Sequence, residues 1–131
     1  MNILQIANKF PYPPKDGGSI ATLSLSRSFA SLGHRVTILA INTSKHFTDP
    51  SLIPAELSSQ IRFISVPVDT DIRIMQLLRN FLFSRMPYNA VRFISPVFDQ
   101  KFKELLSSEK FDIIQLEGVY LAPYLPTIHA H

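Results

Sequence analysis

Two consecutive glycines, Gly17 and Gly18, lie where the sequence could bind an anion. They follow a loop containing three prolines and precede the apolar periodicity of a helix that begins at Ser19. Glycine has no Cβ, so a ligand can approach its backbone closely. Amide groups at a helix N-terminus point outward, and the helix dipole there favours negative charge. The stretch therefore predicts a site for a phosphate or a carboxylate.

Three polar residues flank the glycines, and each has a possible role at such a site. Lys15 would add positive charge, and Asp16 would either cap the helix or accept a hydrogen bond from a sugar hydroxyl. The N–H groups of Ser19 and Ile20 are expected to point outward with those of the glycines. The alternative is a structural turn in which Asp16 and Ser19 compete to cap the helix.

Other phosphate, cofactor and metal sites are not predicted. The loop lacks the G-x-G-x-x-G and G-x-x-x-x-G-K-[ST] spacings. The second predicted strand ends in AINTS, with no acidic residue for a ribose, which disfavours nicotinamide dinucleotide binding. The chain has no cysteine. The terminal HAH is interpreted as solvent-facing, and neither His34 nor His46 is given a role at a site.

Alternating strands and helices position the glycine loop. A strand over residues 2–7, a helix over residues 19–32 and a second strand at residues 36–41 predict a right-handed βαβ unit. Gly33 is expected to end the helix in a left-handed conformation. Five further predictions cover the rest of the chain: an irregular connection at residues 43–57, a strand from Ile61, a helix at residues 71–84, a helix from Pro96, and a strand within FDIIQLEG (residues 111–118).

This alternation predicts an α/β fold, a Rossmann-like three-layer sandwich around a mostly parallel sheet, in one domain over residues 1–131. Ligands of such sheets bind at the carboxyl ends of the strands, where the strand order reverses. Glu117 and Gly118 follow the fourth strand. We therefore expect them at the same sheet edge as the glycine loop.

Composition limits the class of protein. Hydrophobic residues make up 46% and charged residues 18% of the chain, which is typical of a globular protein. No apolar run reaches the roughly 18 residues of a membrane span, and no signal-peptide pattern begins the chain, so a cytoplasmic location is favoured. The net charge of +3 suits anionic partners. A lysine and arginine cluster with interleaved aromatic residues is missing, so nucleic-acid binding is not predicted.

The segment ILQIANKFPYPPKDGGSIATLSLSRSFASLGHRVTILAIN resembles the N-terminal domain of family-4 retaining glycosyltransferases, which have the GT-B fold. The features that carry the resemblance are the first strand, the proline-containing loop ending in Gly17-Gly18, and the pattern G-G … L … L … L-G-H-x-V. FDIIQLEG also resembles the segment before the acceptor-side turn of that family. The resemblance covers most of the chain, except the variable stretch at residues 43–96.

The resemblance implies an enzyme that moves a hexose from a nucleotide sugar to a glycan or lipid-linked acceptor, with no metal and with the nucleotide sugar as donor substrate. Gly17 and Gly18 would lie against the donor phosphates and sugar, and Glu117 and Gly118 would line the acceptor side. The donor-binding C-terminal domain with its Glu-x₇-Glu motif does not appear in the sequence. The chain is thus expected to be an incomplete half of a GT-B fold, cut before its last strands and inactive alone.

A basic and apolar stretch, IRIMQLLRNFLFSRMPYNAVRF, runs over residues 72–93. Within it, Arg85 and Tyr88 are the candidates for acceptor contacts. Such a stretch can also bind the inner face of an anionic membrane, or it can be a core-packed helix whose arginines reach into water. A stand-alone, flavodoxin-like module that binds an anion or another ligand without sugar transfer is the alternative function.

Overall fold

Four parallel strands form the centre of the protein, whose structure here is a computed structural model describing residues 1–69, 91 and 93–130. The strands are β1 (Asn2–Ala7), β2 (Arg35–Thr43), β3 (Ile61–Val68) and β4 (Ile113–Glu117). Their order in the sheet is β3-β2-β1-β4. The predicted α/β, Rossmann-like three-layer sandwich is confirmed, and all pairs in the sheet are parallel.

Within the described residues, four α-helices accompany the sheet: α1 (Gly17–Ser31), α2 (Ala55–Gln60), α3 (Pro96–Ser108) and α4 (Leu125–His129). Short 3₁₀ turns lie at Ser44–His46, Pro50–Leu52 and Val119–Tyr124. No helix in the described part of the chain combines the length and apolar character that crossing a membrane requires. The helix predicted at residues 71–84 lies outside the described residues.

One helix boundary differs from the prediction, and one helix was not predicted, both for local reasons. Helix α1 begins at Gly17, two residues earlier than expected, because Asp16 is its N-cap. At the other end Gly33 has φ of 82°, as predicted for the residue after the helix. The connection predicted to be irregular contains α2, whose only buried residue is Leu57. A helix that buries one side chain has no apolar period to detect.

Side chains of the strands alternate between two hydrophobic layers, which explains their almost continuous apolar sequence. One layer packs against α3 and includes Leu4, Ile6, Leu39, Phe98 and Phe102. The other layer lies on the side of α1 and α2. It includes Ala7, Leu23, Ile38, Ala40 and Leu57. The sheet is therefore covered on both faces, and its carboxyl edge is left to form a site.

The contact of α1 with the sheet is partly polar. Thr22 and Ser26 are buried on one side of α1, and Gln5 of β1 is fully buried. The Ser26 Oγ lies 2.5 Å from Gln5 Oε1 and 2.7 Å from the carbonyl oxygen of Thr22. The Nε2 amide of Gln5 has no hydrogen-bond partner among the described residues.

Tyr124 fixes the segment that leads into α3. Its hydroxyl donates to the carbonyl oxygen of Phe93 at 2.6 Å and accepts from the backbone N–H of Ser95 at 2.9 Å. Burial raises the pKa of this phenol. Ser95 in turn caps α3. The arrangement holds Phe93 at the sheet edge. The Phe93 ring stacks on that of Tyr120, with 5.5 Å between the ring centroids.

Candidate functional site

A cleft of about 530 Å³ opens at the carboxyl ends of β1, β2 and β4. The chain leaves β1 toward β2 on one side, and β4 pairs with β1 on the other, so the strand order reverses here. The cleft is lined by Ala7, Asn8, Lys9, Asp16, Gly18, Ser19, Ala21, Thr22, Thr43, Lys45, His46, Phe93, Glu117 and Gly118. The two segments expected to share an edge therefore form one cleft.

The loop after β1 is anchored beside this cleft. Phe10 is buried and packs against the ring of Phe63 on β3, with 6.0 Å between centroids. At the end of the loop, Asp16 and Ser19 form a capping box, in which Ser19 N–H donates to Asp16 Oδ1 at 2.9 Å and Asp16 N–H donates to Ser19 Oγ at 3.2 Å. The position of the first turn of α1 is thereby fixed.

The capping box changes which amides are available to a ligand. The N–H of Ser19 is bonded to Asp16 Oδ1, and the N–H of Ile20 donates to the carbonyl oxygen of Asp16 at 2.9 Å. These two groups were expected to point outward toward a ligand, but both donate to the N-cap residue Asp16 instead. In the described chain, the N–H groups of Gly17 and Gly18 remain without a partner.

The fold itself does not require glycine at positions 17 and 18. Neither residue has positive φ. A Cβ added at Gly17 would meet nothing within 4 Å, and one at Gly18 would lie 3.5 Å from Asp16 Oδ1, an ordinary contact. Alanine has a higher helix propensity than glycine. The structural turn explains Asp16 and Ser19 but not the two glycines, whose open backbone favours close approach by a ligand.

Lys9 lines the cleft close to the start of α1. Its Nζ forms an ion pair with Asp16 Oδ2. The Lys9 ammonium also donates a hydrogen bond to this carboxylate. That bond has the largest effect, and the bond from Ser19 N–H the next largest, in holding the pKa of the Asp16 carboxyl far below its usual range. Lys15 is exposed, and neither Lys15 nor Gly17 is among the residues that line the cleft. The structure thus provides Lys9 as a cation that the sequence analysis did not select.

Acid is expected to weaken the α1 cap. Because the pKa of Asp16 is lowered in the folded state, its stabilising effect is complete above roughly pH 5 and is lost as the pH falls below about 4. Asp16→Asn keeps a good N-cap but cannot titrate there. Thermal melts at pH 6 and pH 3 should therefore show a larger loss of Tm in the native chain than in the variant. Equal losses would contradict the lowered pKa.

Glu117, at the end of β4, is held in the same cleft by two side chains. Its Oε1 accepts from Gln115 Nε2 at 2.5 Å, and its Oε2 accepts from Thr22 Oγ1 at 3.4 Å. Gly118 has φ of 113°, and a Cβ there would lie 3.5 Å from the side chain of Asn8. The turn after β4 therefore packs directly on the loop after β1. A carboxylate oriented in this way can accept hydrogen bonds from ligand hydroxyls.

Sequence reasoning missed the β2 side of the cleft. Lys45 and His46 lie in the 3₁₀ turn directly after β2, and both line the cleft. Their position directly after a predicted parallel strand could have identified them, because the carboxyl ends of all parallel strands lie at the same edge of the sheet. Arg85 and Tyr88, the other acceptor candidates, lie outside the described residues.

Comparison with protein-family models, with curated proteins and with solved structures finds no match for this chain. Within residues 1–69, 91 and 93–130, no group of three or more acidic or histidine side chains could hold a metal ion. Interpretation of the cleft therefore depends on its own residues and on the sequence resemblance.

Proposed function

We propose that this chain is the acceptor-side domain of a retaining GT-B glycosyltransferase that moves a hexose from a nucleotide sugar to a glycan or lipid-linked acceptor. The observation that carries the proposal is that the backbone of Gly18 and the carboxylate of Glu117 line the same cleft at one sheet edge. A transferase must bring a phosphate-bearing donor and a hydroxyl-bearing acceptor together at such a point.

The glycine side suits the donor phosphates. The unpartnered N–H groups of Gly17 and Gly18 lie in the first turn of a 15-residue helix, whose dipole favours negative charge. With no Cβ at either residue, a diphosphate can contact the backbone directly. Negative charge that develops on the leaving diphosphate during transfer would be stabilised at the same place.

The acidic side suits the acceptor. Thr22 and Gln115 hold both oxygens of Glu117, so the carboxylate is oriented before a ligand arrives. Hydrogen bonding to an acceptor hydroxyl would place that hydroxyl next to the donor phosphates. The cleft belongs to one sheet, whereas transfer in a GT-B enzyme needs a facing donor domain. We therefore expect the 131-residue chain alone to bind its ligands and to transfer no sugar.

A stand-alone anion- or ligand-binding module is the second candidate. It is favoured by one observation: the backbone of Gly18 and the ammonium groups of Lys9 and Lys45 line the same cleft and could hold an anion without a sugar acceptor. Such a module would bind pyrophosphate as strongly as a nucleotide sugar, because it would make contacts to the phosphates and none to the sugar.

The proposal is tested by the backbone amide spectrum of the ¹⁵N-labelled chain, titrated with UDP-glucose, GDP-mannose and pyrophosphate. We expect ligand-induced shifts at Gly17 and Gly18. Gly18→Ala should weaken binding about tenfold or more while leaving Tm unchanged or raised, because the new methyl group faces the ligand and improves helix propensity. Ser24→Ala is the matched control: it makes a similar helix-favouring change at an exposed site in the middle of α1.

The outcomes separate the two functions. Tighter binding of a nucleotide sugar than of pyrophosphate supports the transferase domain, and equal binding supports the module. If no probe shifts the amide signals of Gly17 and Gly18, the proposal that these residues bind the donor phosphates is wrong. Sugar transfer by the purified chain would contradict its role as one half of an enzyme.

A further inference from the structure

Charged side chains in the cleft are sorted by the order of the strands. Lys45 and His46 follow β2, Lys9 follows β1, and Glu117 ends β4. Neighbouring strands lie about 4.8 Å apart, so the ends of β2 and β4 are separated by roughly 10 Å across β1. Asp16, which also lines the cleft, is paired with Lys9, so the basic groups after β2, which form no ion pair with a described residue, and the Glu117 carboxylate at the end of β4 lie at opposite ends of the cleft.

The positive charge at the β2 end is available to a ligand. Lys9 already pairs with Asp16. Lys45 and His46 are exposed, and neither forms an ion pair within the described part of the chain. The turn that carries them is fixed at its start, where His46 N–H donates to Thr43 Oγ1 at 3.3 Å. Lys45 offers an ammonium group, and His46 offers an imidazole N–H.

We propose that Lys45 and His46 bind an anionic group of the acceptor, so that the acceptor is an acidic sugar or a sugar phosphate. Like-charge repulsion excludes that anion from the Glu117 end, while the Glu117 carboxylate accepts from neutral hydroxyls. The polarised cleft thus sets the direction in which the acceptor lies. This inference rests on the proposed function and adds the chemical class of the acceptor.

The experiment compares glucose, glucose 6-phosphate and glucuronate as probes in amide titrations of the ¹⁵N-labelled chain. Both anionic sugars should shift the amides of Lys45 and His46 and bind at least tenfold more tightly than glucose. The double variant Lys45→Gln, His46→Gln should lower their affinity to that of glucose. Lys110→Gln, which removes one charge at an exposed residue just before β4, should have no effect. Since all three positions are exposed, spectra and Tm values should show intact folds.

Each result has a defined meaning. Preference for the phosphate or for the carboxylate supports the inference and identifies the anion. Anionic-sugar affinity that survives in the double variant, or that never exceeds the affinity for glucose, overturns it. Pyrophosphate shifts at Gly17 and Gly18, measured in the same variants, report on the proposed function separately. If pyrophosphate causes no shifts there but the anionic sugars still bind, the proposed transferase function is wrong. The binding site for anionic sugars at Lys45 and His46 would still stand.

Discussion

Replacing Phe102 by alanine is expected to lower the free energy of unfolding by about 3–5 kcal/mol. Phe102 is fully buried in the layer between α3 and the sheet, together with Phe98, Leu4 and Ile6. Truncation removes the apolar surface of the ring and leaves a cavity that the strands cannot collapse to fill. For a domain of this size, Tm should fall by roughly 10–20 °C.

Urea denaturation followed by circular dichroism measures this change. Val97→Ala is the matched control, because Val97 lies on the same helix with 63% of its surface exposed and should change the free energy by less than about 0.5 kcal/mol. A loss below about 1 kcal/mol for Phe102→Ala would mean that α3 does not pack on the sheet in this way.

The second large effect is a gain. Gln5→Met is expected to raise the free energy of unfolding by about 1–2 kcal/mol, because it removes a fully buried amide donor that has no partner among the described residues. Methionine has nearly the same length and shape, so no cavity forms. The Ser26 hydroxyl keeps an acceptor, since the carbonyl oxygen of Thr22 lies 2.7 Å away.

Two companion variants make this result interpretable. Gln5→Glu keeps the shape but places a carboxyl group in the same buried position, so we expect a marked loss of stability at neutral pH. Adding Ser26→Ala to Gln5→Met should change little further, because both partners of the buried contact are then apolar. A destabilised Gln5→Met protein would show that the hydrogen bonds of the Gln5 amide group, including the one that Oε1 accepts from Ser26, outweigh the cost of burying it.

Most of the fold could be predicted because its signals are local. Gly33 ends α1, and apolar runs of strand length define β1 and β2 on either side of it, which is sufficient for a parallel βαβ unit. The sheet edge shared by Gly18 and Glu117 then follows from topology. Helix α2 could not be predicted, since Leu57 alone faces the core.

Details of the site depend on tertiary geometry that spacing does not encode. The pairing of Asp16 with Lys9, seven residues earlier and across the loop, depends on the path of the loop. The N–H groups of Ser19 and Ile20 are not available to a ligand because they donate to Asp16, and this depends on which residue becomes the N-cap. The assignment of a donor or acceptor to either end of the cleft remains a proposal from the resemblance and the charges.

The position of β4 in the sheet has a consequence for the mobility of the cleft. All six residues of β1 are buried, and β1 is hydrogen-bonded to β2 and β4. Of the described strands, β4 pairs only with β1, and none of its five residues is buried. Backbone amides of β4 should therefore exchange with solvent deuterium much faster than those of β1. The backbone that carries Glu117 is therefore expected to open more often than the backbone of β1, even though Thr22 and Gln115 orient the Glu117 carboxylate.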